Sequence, residues 1–163
     1  MHLTQTFTFP SAEHTTAWGE ALGMKLASTL ANEPVVLGLI GHLGAGKTTL
    51  ARAIARGMGI ARPVTSPTFT IERRYPLPNR AGATLRHYDF YRLDDHSDLI
   101  ELGFEERAPG DILLVEWIDR FPHLCDAPET CLLQLEAPDP ANTPDTRRLR
   151  CRLPEILLLA TPF

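Results

Sequence analysis

Gly41-His42-Leu43-Gly44-Ala45-Gly46-Lys47-Thr48 fulfils the Gly-x-x-x-x-Gly-Lys-Thr pattern of a phosphate-binding loop at every fixed position. Glycines let the backbone curl so that successive N–H groups point at phosphate oxygens, and the following helix adds the positive end of its dipole. In this pattern the lysine reaches the β- and γ-phosphates, and the threonine hydroxyl is a ligand of Mg²⁺. We therefore predict a site for ATP and Mg²⁺ formed by Gly41, Leu43, Gly44, Ala45, Gly46, Lys47, Thr48 and Thr49.

The residues on either side place this loop between a strand and a helix. Residues 35–40 form a continuous apolar run, as expected of a central strand that is covered on both faces. Residues 47–58 place Leu50, Ala51, Ile54 and Ala55 on one side and are predicted as an amphipathic helix. The four fixed positions would arise by chance in well under about one percent of chains this long. The flanking strand and helix strengthen the prediction of a phosphate loop further.

The remaining patterns complete an α/β architecture. Residues 3–9 alternate as a half-buried strand, and Ser11 can cap a helix that runs to about Leu30. Further strands are predicted at 69–75, 84–88, 111–116, 131–137 and 147–153, with a short helix over 98–107. This order predicts one domain over residues 1–163. We expect a three-layer α/β fold of the P-loop NTPase type, with a mixed, mainly parallel central sheet and helices on both faces.

Composition limits the class of protein. The chain has 163 residues, of which 44% are hydrophobic and 22% charged, as in ordinary soluble domains. No apolar run approaches the roughly 20 residues needed to span a bilayer, and the first ten residues do not resemble a signal peptide. The three cysteines form no Cys-x-x-Cys pair, which fits reduced thiols. We expect a cytoplasmic protein with no membrane association.

Charge is unevenly distributed along the chain. The net charge is −4, yet residues 47–92 contain nine Lys or Arg and two Asp or Glu. Residues 94–119 reverse this balance, with nine Asp or Glu and one Arg. These segments are either two solvated faces, or a basic surface for phosphates or RNA beside an acidic surface for a protein partner.

Two carboxylates are candidates for the second anchor that Mg²⁺ requires. Glu116 ends the buried run 112–116, and Asp89 follows the run 85–88. Each could be an ordinary surface carboxylate at a strand end. Both also occupy the carboxyl ends of strands, where α/β sheets place their ligands.

A hydroxyl-rich segment separates the loop helix from the next strand. Residues 64–70 read Val-Thr-Ser-Pro-Thr-Phe-Thr. P-loop proteins often place there a loop whose hydroxyls or carbonyls engage the γ-phosphate or Mg²⁺. The alternative is a plain Ser-Pro turn.

Five motifs together resemble those of one family in order and spacing. They are Gly-His-Leu-Gly-Ala-Gly-Lys-Thr-Thr (41–49), Thr-Ser-Pro-Thr-Phe-Thr (65–70), His-Tyr-Asp-Phe-Tyr-Arg-Leu (87–93), Glu-Leu-Gly-Phe-Glu-Glu (101–106) and Leu-Val-Glu-Trp (114–117). The first is common to many P-loop ATPases, whereas the other four together are typical of the TsaE (YjeE) family. The resemblance runs from Ser11 to Arg152. It implies the ATPase component of bacterial threonylcarbamoyladenosine synthesis, which binds ATP and Mg²⁺ and acts on the complex of TsaD and TsaB, with tRNA involved indirectly.

The resemblance also implies roles for individual residues. Lys47 would contact phosphate, Thr48 and Glu116 would hold Mg²⁺, and Asp89 would support Mg²⁺ or orient the attacking water. Residues implied to lie near the nucleotide are Thr65 and Ser66 as the sensing loop, Trp117 beside the metal acid, and Thr15 against the base. Trp117 could equally be a core or interface residue. His42 departs from the family, which more often has an acidic residue or Pro there.

The sequence is also compatible with two other functions. A small-molecule kinase would need an acceptor pocket and an arginine-rich lid, for which Arg73, Arg74 and Arg80 are the only candidates. A non-catalytic adaptor would use ATP only to hold a complex together. The paired acids Asp89 and Glu116 favour hydrolysis, and the lack of an obvious arginine finger predicts weak activity until a partner completes the site.

Overall fold

Seven strands form one sheet in the computed structural model, which describes residues 1–29 and 32–158. The strands are β1 (His2–Phe9), β2 (Val35–Ile40), β3 (Glu72–Pro76), β4 (Thr84–Asp89), β5 (Ile112–Glu116), β6 (Cys131–Glu136) and β7 (Arg147–Pro154). The helices are α1 (Ala12–Thr29), α2 (Lys47–Gly57), α3 (His96–Glu101) and α4 (Pro122–Asp126), with 3-10 turns at Ile118–Arg120 and Glu155–Leu157.

The sheet is mixed, with a parallel centre. Its strand order is β1-β7-β6-β2-β5-β4-β3. The pairings β6–β2, β2–β5 and β5–β4 are parallel, whereas β1–β7, β7–β6 and β4–β3 are antiparallel. Only β3 and β7 therefore run against the other strands, and the predicted mixed, mainly parallel sheet is confirmed.

Alternation along the strands divides the core into two layers. In β2, Leu37 and Leu39 face the core that holds Leu50 and Ile54 of α2, together with Trp18 of α1. Their neighbour Val36 belongs to the opposite core, where Leu99 of α3 and Leu124 of α4 pack. A central strand covered on both faces is apolar throughout, as its sequence predicted. Helices on both faces of the sheet are thus also confirmed.

The two long helices pack closely at glycine positions. A Cβ added to Gly23 in α1 would overlap the carbonyl oxygen of Ile54 in α2 and lie 2.9 Å from its carbonyl carbon. A Cβ added to Gly57 would likewise overlap the backbone of Glu20. The absence of side chains at these two positions lets α1 support the helix that follows the phosphate loop.

Several predicted boundaries differ from the structure. The strand predicted at 69–75 begins at Glu72, because the N–H groups of Thr70 and Ile71 both donate to the carbonyl of Pro67 and form a turn. The helix predicted over 98–107 begins at His96, because the side chains of Asp95 and Asp98 form a reciprocal cap there, and it ends at Glu101. The short helices after β5 were not predicted.

Three further expectations concern the first helix, the cysteines and membrane-spanning segments. Helix α1 begins directly after Ser11, and the predicted endpoint Leu30 lies outside the described residues. The three cysteines are free, as predicted. In residues 1–29 and 32–158, no helix is both long enough and apolar enough to cross a bilayer.

Candidate nucleotide-binding site

The loop between β2 and α2 has the backbone shape that its glycines predict. Gly44 and Gly46 adopt φ angles of 79° and 107°, in the left-handed region that favours glycine. Gly46 is the N-cap of α2 and supplies no side-chain cap, so the first amides of an eleven-residue helix stay available at the loop. At Gly41 a Cβ would lie 2.5 Å from the carbonyl oxygen of Leu135, which leaves no room for a side chain.

Lys47 is buried at the start of α2, with 5% of its surface exposed. Its Nζ donates to the carbonyl oxygens of Gly41 at 2.5 Å and His42 at 2.9 Å, and lies 3.9 Å from the centre of the Trp117 ring. Burial lowers the pKa of Lys47, and the carboxylates of Glu116, Asp119 and Asp89 oppose this effect. The ammonium group is therefore held over the loop, in a position suited to an anion.

Thr48 and Glu116 meet beneath the loop. The Thr48 hydroxyl donates to Glu116 Oε1 at 3.1 Å and Oε2 at 2.9 Å, and this carboxylate ends β5, the parallel neighbour of β2. One hydroxyl and one carboxylate are hard oxygen donors, which fit Mg²⁺ when phosphates and waters supply its other ligands. In the part of the chain that the structure describes, no three His, Cys, Asp or Glu side chains form a site that could hold a metal alone. The donor set therefore fits Mg²⁺ delivered with a nucleotide.

Asp89 ends β4 and lies opposite Glu116 in the parallel pairing of β4 with β5. Its Oδ2 accepts a hydrogen bond from the Thr68 hydroxyl at 3.0 Å, and its Oδ1 accepts one from the Tyr91 N–H at 2.9 Å. Because each carboxylate oxygen can accept two hydrogen bonds, Asp89 keeps acceptor capacity toward the cleft that it lines.

A cleft of about 360 Å³ brings together most of the predicted site residues. The predicted residues that line it are Leu43, Gly44, Gly46, Lys47, Thr48, Thr49, Asp89, Glu116 and Trp117. Trp117 is half-buried, and its ring is 5.0 Å from that of Tyr91 and in contact with the Lys47 ammonium. Three adjacent parallel strands, β4, β5 and β2, deliver these groups at their carboxyl ends, as such sheets generally do.

Two predicted residues that do not line the larger cleft line a smaller neighbouring cavity, which Gly46 and Thr49 also border. Thr15 and Ala45 line a space of about 80 Å³ that adjoins the loop on the side of α1 and β7. Arg147 also lines this space, and its Nε donates to the Ala45 carbonyl at 2.8 Å. Thr15 is thus next to the phosphate loop but is not among the residues that line the larger cleft.

The predicted sensing loop is arranged differently from expectation. Thr65 borders two surface clefts lined with arginines, and it does not line the 360 Å³ cleft. Ser66 contacts the cleft only indirectly, since its hydroxyl lies 2.6 Å from that of Thr68, which in turn donates to Asp89. Thr68 is therefore the hydroxyl of this segment that lines the cleft.

The arginines proposed as a kinase lid do not cover the cleft. Arg80 is buried and donates to the carbonyls of Leu26, Ala27 and Gly110. Arg73 and Arg74 lie on β3 and border a surface cleft that they share with Thr65. The structure therefore gives no support to the kinase alternative.

Sequence reasoning missed four residues of the site. Thr68 and Tyr91 line the cleft, Arg147 fixes the loop backbone, and His87 contacts Glu116. Only His87 had a readable signal, because it lies two positions before Asp89 and so on the same face of a strand. The other three depend on turns and on contacts distant in sequence.

The parallel sheet, the glycine loop before α2 and the acid at the end of the neighbouring strand define a protein of the P-loop NTPase fold class. Comparison with known proteins gives the family. The family described as "Threonylcarbamoyl adenosine biosynthesis protein TsaE" matches residues 9–148. The chain therefore belongs to the TsaE family.

Individual relatives are similar over part of their length. The chain is 46% identical to the tRNA threonylcarbamoyladenosine biosynthesis protein TsaE of Bacillus subtilis over 94 residues, which are 57% of this chain and 56% of the relative. It is 40% identical to the protein of that name from Mycobacterium bovis over 119 residues, 69% of this chain and 67% of the relative. The match thus spans little more than half of the first relative. A crystal structure of Bacillus subtilis YdiB superimposes with a TM-score of 0.65 and 27% identity, covering 94% of this chain and 87% of that one.

Proposed function

We propose that this chain is a Mg²⁺-dependent ATPase that serves the threonylcarbamoyladenosine modification of tRNA. The observation that carries the proposal is the contact of Glu116 with Thr48, the residue that ends the phosphate-loop pattern. The family of the chain supports the tRNA modification, since its relatives are named for that biosynthesis. Such a protein would act in the cytoplasm, where tRNA is modified.

Each of the main residues of the cleft would have a separate role in ATP hydrolysis. Bound ATP would supply the phosphoanhydride bond, and Mg²⁺ would offset charge on its phosphates. Lys47 would exchange its two carbonyl acceptors for phosphate oxygens, while Thr48 and Glu116 would hold the metal. Asp89 would accept a hydrogen bond from water and orient it, because its oxygens keep free acceptor capacity.

The cleft lacks one element of an efficient hydrolase. Among the described residues that line it, Lys47 is the only cation, and none is an arginine. An arginine that stabilises the transition state can increase phosphoryl transfer by about 10³-fold or more. We therefore propose that the isolated chain hydrolyses ATP slowly and that TsaD and TsaB type proteins complete or stimulate the site, with tRNA involved through them.

Hydrolysis should depend on Glu116 and on the partner proteins. We expect the isolated chain to hydrolyse ATP slowly and the matching TsaD and TsaB proteins to increase the rate. Glu116→Gln should lower the stimulated rate about 100-fold, because an amide is a poor ligand for Mg²⁺. Phosphate release, with and without the partners, measures the effect, and the exposed Glu129→Gln is the matched control. Equal rates for Glu116→Gln and the wild type would contradict the metal role. Unchanged rates on adding partners would contradict the partner role.

A basic surface that includes Arg62, Arg73 and Arg74 is our candidate for docking. Clefts of about 520 and 420 Å³ share Arg62, Pro63 and Thr65, and Arg73 lines the second. Neither Arg62 nor Arg73 has a carboxylate within ion-pair distance among the described residues. Their uncompensated charge favours an acidic partner surface or RNA.

Reversing charge on this surface should weaken docking to the partner proteins without changing ATP binding. We expect Arg73→Glu combined with Arg74→Glu to weaken binding to the TsaD–TsaB complex by about tenfold or more, because like charges would then face each other. ATP affinity should not change, since neither residue lines the nucleotide cleft. Calorimetric titration measures both affinities, and a melting curve checks folding. The control reverses Arg148 and Arg150 on β7. Unchanged docking of the Arg73 and Arg74 variant would remove this surface from the proposal.

A further inference from the structure

His87 is a fully buried histidine that the proposed mechanism does not yet use. It lies in β4, two residues before Asp89, with none of its surface exposed. Leu85, His87 and Asp89 alternate onto one face of β4, and Leu85 packs in the core shared with α2. Glu116 lies on the same side of β5, because Ile112 and Leu114 belong to that core too. The side chains of His87 and Glu116 therefore lie on the same face of the sheet, the one that packs against α2.

The contact between the two side chains is short and defined. His87 Nε2 lies 2.8 Å from Glu116 Oε1, and both side chains are almost completely buried. An ionised carboxylate can only accept hydrogen bonds, so Nε2 carries the hydrogen and donates it. The other ring nitrogen, Nδ1, is buried without a hydrogen-bond partner among the described residues. Within the described part of the chain, the hydrogen bond to Glu116 is therefore the only polar contact of the ring.

A buried histidine with an unpaired Nδ1 is not the side chain that would give this position the highest stability. A buried polar atom without a hydrogen-bond partner lowers the free energy of unfolding, because its desolvation is not compensated. An apolar side chain would avoid that cost at a position between buried strands. The benefit of the imidazole must therefore lie in what it does to Glu116.

Glu116 is held from two directions. Thr48 donates to both carboxylate oxygens from the phosphate loop, whereas His87 donates to Oε1 from inside the sheet. The bond from β4 keeps one oxygen on a rigid strand and so restricts rotation of the carboxylate plane. A carboxylate with a fixed orientation loses less conformational freedom when it engages a metal, as supporting residues around metal ligands generally achieve.

We infer that His87 is a positioning residue whose Nε2–H fixes the Glu116 carboxylate and thereby strengthens the Mg²⁺-dependent part of nucleotide binding. The inference rests on the proposed function, because it assigns Glu116 to the metal. It predicts no direct contact of His87 with nucleotide, and His87 is not among the residues that line the cleft.

The test compares His87→Leu with His87→Gln. Glutamine keeps an N–H donor at similar reach, whereas leucine removes it. A fluorescent, non-hydrolysable ATP analogue is titrated in EDTA and in Mg²⁺, and the ratio of the two dissociation constants gives the Mg²⁺-dependent gain in affinity. We expect His87→Leu to keep the affinity in EDTA within about twofold of the wild type. The Mg²⁺-dependent gain in affinity should fall about tenfold, as for other residues that support metal ligands. His87→Gln should keep most of it.

Further measurements separate positioning from a structural role. A structural defect would lower both affinities together and would lower the melting temperature, so melting curves accompany the titrations. If His87→Leu melts early, His87→Phe replaces it, since phenylalanine keeps the ring shape without a donor. In a Glu116→Gln background, His87→Leu should have no further effect on the gain, because the residue acts through Glu116.

The outcomes distinguish the inference from the proposed function. A wild-type chain without any Mg²⁺-dependent gain would overturn the proposed function and the inference together. A wild-type gain that persists in both donor-free variants would overturn the role of His87 and leave the ATPase proposal standing. A full loss in His87→Gln as well as in His87→Leu would also overturn it, because the donor would then not be the relevant feature.

Discussion

Replacing Lys47 with alanine is expected to lower ATP hydrolysis at least about 100-fold, the usual scale for removing a preorganised group that stabilises developing charge. The ammonium is buried over the loop, and its two present acceptors are backbone carbonyls that it can exchange for phosphate oxygens. Nucleotide affinity should fall as well, because no other cation lines the described cleft. Phosphate release and analogue titration measure the two effects.

Lys25 provides the matched control for this substitution, because it is the only other lysine in the chain. Its Nζ donates to the carbonyl of Leu158, and neither residue lines the cleft. Lys25→Ala should therefore leave hydrolysis unchanged. Equal activity of Lys47→Ala and Lys25→Ala would contradict the assignment of the phosphate loop.

The lowered pKa of Lys47 adds a prediction about stability with a definite sign. Burial lowers the pKa in the folded chain, so the unfolded chain binds more protons between the folded and unfolded pKa values. The protonated lysine thus destabilises the fold at neutral pH, and this cost disappears as pH rises from the lowered pKa to the ordinary one. Lys47→Met should unfold at the same or higher urea concentration than the wild type at pH 7. Its advantage should shrink in alkaline buffer, and a constant or growing advantage would contradict the burial effect.

Gly23→Ala should strongly destabilise the fold, although it adds only one methyl group. An added Cβ would overlap the Ile54 carbonyl, and both contacting groups belong to helix backbones that cannot rotate aside. Overpacking usually costs about 1–3 kcal/mol, whereas the better helix propensity of alanine returns roughly 1 kcal/mol. Because the overlap is with backbone, we expect a cost at the upper end of that range, and therefore a net loss of about 2 kcal/mol from the free energy of unfolding.

Urea denaturation measures this loss, and Met24→Ala is the matched control. Met24 is the next residue of α1 and is 58% exposed, so its truncation should change stability by less than about 0.5 kcal/mol. An unchanged or higher stability of Gly23→Ala would show that α1 and α2 can separate without cost.

The sequence predicted the centre of the fold because local and global signals agree there. The buried strand 35–40, the glycine loop and the amphipathic helix are each encoded by residues close together. Glu116 and Asp89 could be proposed because carboxyl ends of parallel strands converge. The helix at His96–Glu101 was misplaced, although Asp95 and Asp98 carry the pattern of a reciprocal cap.

The features of the site that were not predicted from the sequence depend on tertiary structure. Thr68 replaces Thr65 and Ser66 at the cleft because a turn on the Pro67 carbonyl and a left-handed Ile71, with a φ of 65°, redirect the segment. A β-branched residue in that region is unfavourable, so no local rule predicts it. The contact of His87 with Glu116 joins residues 29 positions apart. It requires knowledge that β4 and β5 are neighbours.

The pairing of β4 with β5 makes nucleotide affinity a test of strand register. A slip of one residue would turn His87 and Asp89 to the opposite face of the sheet and bring Tyr88 to the side of α2. Secondary-structure content would barely change, so circular dichroism would not detect the error. Only a chain with correctly aligned strands presents both carboxylates to the phosphate loop. Titration with a nucleotide analogue therefore measures the fraction of molecules in which the strands of the central sheet are correctly aligned.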